Sequence, residues 1–392
     1  MSFYIKEDTM RTLVEIFLVS FRLGCTSFGG PTAHLGYFQQ TYVKEKKWLT
    51  DEEYADLIAL SQFLPGPTSS QVGIGVGLIR GGVLGSIVSF TGFTMPSVLL
   101  LMLFAAFYLK GEVNMGWIQG LKLVAVAVVG QAIVDMVNKL LIGWRHTLLA
   151  ILACAAGLIL TTPWTQAAVI LIAGIAGYLT LTGTTKCVTN KQLLSKKTGA
   201  VLLFIFFALL FVLPLANHFF TIKALVLFEK FYIAGALVFG GGHVVLPLLE
   251  THFVSSGIMS MESFLTGYGA TQAVPGPLFT FAAYIGMILG GIGGALWATF
   301  AIFLPGFLLI LGALPFWLYL SGHQKMRGAI AGMNAAVVGI LTAAFFTPII
   351  SDSISGAIDA VFIILFFVLL IKWKMKASTI VLLGILVGII WY

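Results

Sequence analysis

Apolar residues fill long blocks at about 12–30, 54–79, 82–109, 117–138, 146–160, 164–182, 199–219, 224–248, 263–289, 291–320, 328–350, 354–371 and 377–392. Polar and charged residues collect between them. At 1.5 Å per residue, roughly 20 residues cross the hydrocarbon core of a bilayer, and most blocks are long enough. The short alternating segments of an outer-membrane barrel do not occur. Helices are then the spanning elements, because lipid offers the backbone no hydrogen-bond partner.

Two blocks carry a break that a helix interior resists. "SQFLPGPTSS" (Ser61–Ser70) and "TQAVPGPLFT" (Thr271–Thr280) each place two prolines around one glycine. Proline removes a donor and clashes with the preceding turn, and glycine adds a permissive hinge. Three more pairs match in the same order. Phe28–Leu35 (FGGPTAHL) resembles Phe239–Leu246 (FGGGHVVL), Phe93–Leu101 resembles Ile302–Ile310, and Ala125–Gly130 resembles Asn334–Gly339. All four pairs lie 209 to 211 residues apart. The chain is expected to hold two homologous halves, 1–183 and 220–392. A basic loop and a linking transmembrane segment, 184–219, join them.

Loop charge orients the halves. Lys44, Lys46 and Lys47, then Arg80, Lys139 and Arg145, and the run Lys186, Lys191, Lys196 and Lys197 make basic loops in the first half. The loops near 110–116 and 161–164 are neutral. In the second half the pattern swaps. Residues 250–262 carry Glu250 and Glu262 without Lys or Arg, the turn near 290 is uncharged, and the loop near 351 has Asp352. Lys325 and Arg327, and Lys372, Lys374 and Lys376, form the basic loops there. By the positive-inside rule the halves insert antiparallel. The fold class expected is an all-α polytopic membrane protein, an inverted-topology repeat with broken or re-entrant helices at the PGP motifs. Both loops flanking Pro65-Gly66-Pro67 are basic, so that segment is predicted to turn back as a re-entrant hairpin. A single tilted span with a kink is the alternative.

Composition agrees. Of 392 residues, 59% are hydrophobic and 9% charged, and mean hydropathy is +1.02; a soluble domain carries about a quarter charged residues. The net charge of +7 is explained by the loops, with no basic stripe for nucleic acid. Cys25, Cys154 and Cys187 form no disulfide framework or zinc spacing. Arg22 interrupts the first apolar run and no small-residue cleavage site follows, so that segment is expected to stay in the mature protein.

The candidate chemistry gathers at the breaks. After Pro65, Gly66 and Pro67 a new helix N-terminus starts, furnished by Thr68, Ser69 and Ser70, with Gln62 and Gln71 alongside. Free amides and a partial positive charge there suit an oxyanion. Gln272, Pro275, Gly276, Pro277 and Thr280 give a weaker copy. Gly29 and Gly30, and Gly240 and Gly241, either line a site with backbone or pack helices closely. His34 and His243, two residues out of register, are candidates for anion binding or proton transfer; both are weighed against a structural role. Charges inside apolar blocks are functional candidates by default: Arg22, Lys122, Asp56 and Asp135. Arg22 and Lys122 can balance an anion, though Lys122 can also snorkel. Asp56 can relay a proton, and Asp135 can pair with Lys139. No nucleotide, zinc-protease or serine-hydrolase signature appears. An enzyme is not expected, no cofactor or metal is called for, and transport would run on an ion gradient.

Paired FGG and QxxPGP motifs in two halves of a membrane protein of this length resemble the long-chain, two-domain chromate transporters of the CHR superfamily. The resemblance covers nearly the whole chain. It implies export of chromate across the inner (plasma) membrane, driven by the proton-motive force and giving chromate resistance. Sulfate or another oxyanion is the alternative substrate, since chromate is a tetrahedral dianion much like it. The partners implied are the anion and the lipid bilayer, with a homodimer as a further option.

Overall fold

The computed structural model describes all residues except 1, 29, 110–114, 160–162, 182–193, 221, 240–243, 318–323, 351–353 and 355. The described residues form helices and no strand. In the first half these are α1 (Ser2–Thr26), α2 (Gly30–Phe38), α3 (Asp51–Phe63), α4 (Thr68–Leu109), α5 (Met115–Leu140), α6 (Trp144–Ile159) and α7 (Pro163–Thr180). The helix α8 (Lys196–Phe219) links to α9 (Lys223–Ala236), α10 (Val245–Phe253), α11 (Met261–Ala273), α12 (Phe281–Ala313), α13 (Gln324–Ala344), α14 (Ala357–Ile371) and α15 (Ala377–Trp391). Among the described residues, five stretches are long and apolar enough to cross a membrane: Thr68–Leu109, Gly116–Leu140, Lys196–Phe219, Leu278–Phe316 and Lys325–Thr347. Large apolar side chains such as Phe204, Phe211 and Leu215 on α8 stay exposed, as lipid contact allows.

Helices α4 and α12 are each two arms, reversed at a glycine pair. Gly82 takes φ 64, ψ −158 and Gly291 takes φ 62, ψ −154, a region that essentially only glycine occupies. The reversal brings Ser89 Oγ within 2.8 Å of the Gly73 carbonyl it donates to. In a straight helix those residues would lie about 24 Å apart. Gly77 faces Gly85, and Gly286 faces Gly294, so closely that a Cβ at any of the four would overlap the opposing carbonyl.

The chain also turns back at both PGP breaks. Helix α3 has 13 residues, about 20 Å, short of the ~30 Å hydrocarbon core. The next arm, 68–80, returns beside it, with Leu57 against Gly75. Its end lies with the start of α3: Arg80 stacks over Trp48 at 5.7 Å, and Arg80 and Lys46 both reach Glu15, at 3.6 and 3.0 Å. The hairpin expected from the flanking charges forms, rather than a kinked span. In the second half the sizes are exchanged, with Tyr284 filling the space over Gly267. Tyr284 Oη donates to the Ser263 carbonyl at 2.9 Å.

The halves are interleaved. Helices α6 and α7 pack on α13, α14 and α15 pack on α5, and α4 and α12 meet in the middle. Small residues make this possible: Gly116 and Gly120 lie against Gly388 and Gly384, while Gly328 and Gly332 lie against Gly177 and Ala173. Close backbone approach through such faces is how helices associate in lipid.

Candidate functional site

Each hairpin tip is built from local backbone rules. Leu64 and Val274 precede proline and are extended, with ψ of 147 and 138, as the pyrrolidine ring demands. Gly66 and Gly276 then take φ of 119 and 107, which L side chains rarely adopt. A capping box at Thr50 and Glu53 starts α3, and Ser260 caps α11. Both short helices are fixed at the mouth and broken at the tip.

Each tip bonds to the residue two positions before the first glycine of the other half's FGG motif. The Gly66 amide donates to the Val238 carbonyl at 2.7 Å, and the Gly276 amide donates to the Ser27 carbonyl at 2.9 Å. Val238 immediately precedes Phe239-Gly240-Gly241, and Ser27 immediately precedes Phe28-Gly29-Gly30. The third motif pair closes the same place: Gly306 packs on Pro67, and Ser97 packs on Gly276. All three motif pairs converge reciprocally on one region between the halves.

Buried polar atoms without a protein partner concentrate there: Ser27 Oγ, Ser61 Oγ, Ser70 Oγ, Gln71 Oε1, Thr94 Oγ1 and Gln272 Nε2. Each would cost about 1–3 kcal/mol if left bare, so the cluster marks a place for water or a polar ligand. Other groups there are already engaged. Gln71 Nε2 donates to the Pro65 carbonyl at 2.9 Å, satisfying a group the break would orphan. His34, fully buried, is half engaged: Nδ1 lies 3.2 Å from Ser69 Oγ and its ring meets Phe93 edge-on, while Nε2 joins the atoms without a protein partner.

The expected residues divide. Gly30, His34, Pro65, Gly66, Pro67, Thr68, Ser69, Ser70, Gln272, Pro275, Gly276 and Pro277 stand at the convergence. Gly29, Gly240, Gly241 and His243 lie outside the described residues. Gln62 is exposed, unlike its buried twin Gln272. Arg22 is exposed on α1, about one and a half turns before Ser27. Lys122 reaches Glu262 at 3.6 Å, near the start of α11 and about 18 Å along that helix from the tip. Asp56 is half-buried in the second turn of α3, away from the tip. Sequence reasoning did not single out Ser27, Ser61, Thr94 or Ser97. The signal was available for two of them, since Thr94 and Ser97 flank Pro96 inside a repeated motif.

The sequence profile of the chromate transporter family matches the chain twice, at residues 14–178 and 225–389. The chain belongs to that family. As a chromate transporter family member it is a transporter rather than an enzyme, and a multi-pass protein of the inner membrane. It is 27% identical to the chromate transport protein of Cupriavidus metallidurans, covering 98% of this chain and 94% of that one. It is 28% identical to the probable chromate transport protein of Synechococcus elongatus, over 86% and 84%. An uncharacterized transporter of Methanocaldococcus jannaschii is 24% identical over 96% of this chain and 93% of its own. No solved structure matches.

In this transporter the two halves share a backbone but not a lining. After the first break come Thr68, Ser69, Ser70 and Gln71; after the second come Leu278, Phe279, Thr280 and Phe281. His34 stands where the second half has Val245. In the first half Ser20 Oγ lies 3.1 Å from both Tyr42 Oη and Ser89 Oγ. At the matching positions the second half has Phe231, Phe253 and Ala298, with the two phenyl rings 4.7 Å apart. The polar lining beyond the break therefore belongs mainly to the first half.

Proposed function

We propose that the chain exports chromate across the inner membrane, coupled to the proton-motive force, and so gives chromate resistance. The observation that carries this reading is the reciprocal pair of amide bonds, Gly66 to Val238 and Gly276 to Ser27. It gathers two broken helices and unpartnered hydroxyl and amide groups at one place between the halves. Such groups suit a tetrahedral dianion, and paired broken helices are how many secondary transporters hold substrate. Relatives named as chromate transport proteins over nearly the full length support the substrate. An inside-negative potential favours export, by roughly 2.3 kcal/mol per charge per 100 mV. His34 is the proton carrier we favour, being buried at the first tip. His243 and Asp56 are the further candidates.

Antiparallel halves are part of the proposal. The start of α3 lies with Arg80 at one end of the long α4 arm. The start of α11 lies at that arm's other end, where Tyr108 Oη meets Ser263 Oγ at 2.9 Å. Together with the swapped loop charges, this supports insertion in opposite senses. Cysteines introduced near 46 and 256 should then react with an impermeant reagent from opposite faces, and labelling from one face would sink the arrangement.

The transport test is chromate uptake by purified protein in proteoliposomes, with an imposed proton gradient and potential. Uptake no higher than in empty liposomes would refute the proposal. Sulfate is the second reading, favoured by the shared shape of the two dianions and the uncharged donors at the tips; competition for the same uptake distinguishes them.

A further inference from the structure

We infer that a cavity beside the second PGP tip is the cytoplasmic loading site for the anion, an inference that rests on the export reading. The cavity, about 190 Å³, is bounded by Gly30, Gln131, Asp135, Gln272, Gly276 and Lys376. That is room for several waters at ~30 Å³ each. Gln272 is 92% buried, being 8% exposed. It lines the cavity, and its Nε2 donor has no protein partner. A buried amide donor without a partner is held at a cost that a bound anion would remove. The N-terminus of α15 opens on the same space through Lys376 and Ala377, adding the positive end of a helix.

Two exposed charges of opposite sign stand among the lining residues: Lys376 and Asp135. Lys376 belongs to the basic loop with Lys372 and Lys374, and Asp135 precedes Lys139 and Arg145. By the positive-inside rule both loops are cytoplasmic, so the cavity faces the compartment from which an exporter draws substrate. Its lining includes Gly276 of the second tip, which Ser27 holds. The anion thus enters past Lys376, is caught by the Gln272 amide, and reaches the tips from there.

The test measures chromate and sulfate KM in inverted membrane vesicles, whose cytoplasmic face is outward. Lys376→Gln should raise KM two- to fivefold and Asp135→Asn should lower it, as exposed charges near a dianion do. High salt should shrink both effects. Gln272→Glu keeps the shape but replaces a donor with a carboxylate, and should raise KM about tenfold or more with kcat changed less. Opposite signs for Lys376→Gln and Asp135→Asn are a signature that mere loss of structure would not give. If wild-type vesicles transport and all three variants stay within twofold in KM, the loading site is overturned while the transport reading stands. If wild-type vesicles transport neither anion, the transport reading falls and the loading site falls with it.

Discussion

Alanine at Gly66 tests whether the tip geometry is essential to transport. Two costs add there. At φ 119 an L residue is strained by about 1–3 kcal/mol. The new Cβ would also lie 3.0 Å from Gln71 Nε2, the donor to the Pro65 carbonyl. Displacing that amide bares a part-buried carbonyl, for up to about another 1–3 kcal/mol. Gly306 Cα at 3.5 Å is ordinary contact and adds nothing. The sum is up to about 2–6 kcal/mol. Gly257 is the control. Its φ is 73 with open space around it, so Gly257→Ala should cost only about 1–2 kcal/mol. At matched membrane abundance, Gly66→Ala should lose at least tenfold in chromate uptake and unfold earlier on heating in detergent. Gly257→Ala should do neither to that degree. Adding Gln71→Ala to Gly66→Ala should cost less than the two single losses together, because the clash partner is gone. If Gly66→Ala and Gly257→Ala behave alike in both assays, the account of the tip is wrong.

Three further tests, two of them paired with a milder substitution, probe other links. Gly85→Leu should block the close approach to Gly77 and cut membrane abundance several-fold, whereas Gly293→Leu, with open space around it, should be tolerated; immunoblots of membranes compare them. Ser69→Phe, which imports a second-half residue type, should abolish chromate uptake by filling the polar side of the first tip and displacing His34. Thr280→Ser should leave uptake within twofold. Lys122→Met breaks a pair in which Lys122 is 14% and Glu262 53% exposed; water reaching Glu262 screens the pair, and Met keeps the apolar stem packed, so stability should change by about 1 kcal/mol or less and uptake by less than threefold. A larger loss of uptake would return Lys122 to the anion path.

The elements governed by local backbone chemistry were legible in the sequence. Pro65-Gly66-Pro67 can hardly continue a helix, and charges at Lys46 and Arg80 on either side of it predicted that the chain turns back. The apolar blocks also parted at Gly81-Gly82, where the structure reverses. What could not be read was which copy of each motif meets which. The Gly66–Val238 bond joins residues far apart in sequence, and neither carries a side chain that announces a partner. Helix rotation was equally hidden. Gln62 and Gln272 occupy the same place in the same motif, yet one is exposed and the other lines a cavity. Arg22 sits in an apolar run, but the run alone does not say which face of α1 carries it.

The contrast between shared backbone and divergent lining bears on how such a transporter would cycle. Gly82 and Gly291 differ by only a few degrees in φ and ψ, and Gly66 and Gly276 by 12° in φ, 119 against 107. In the proposed antiparallel arrangement, exchanging the conformations of the two halves converts an inward-open form into an outward-open one. Near-identical backbones keep those two forms close in energy, which a cycle passing through both requires. Identical linings would make the two forms bind the anion alike, and a ligand with equal affinity for both shifts nothing. Ser69, Ser70 and Gln71 on one side and Phe279 and Phe281 on the other break that equality. The polar tip and the apolar tip would hold the dianion with different strengths as each is exposed in turn. A chain of two identical halves would keep the hinge and lose this bias, so the divergence of the side chains is as much a part of the proposed mechanism as the duplication of the backbone.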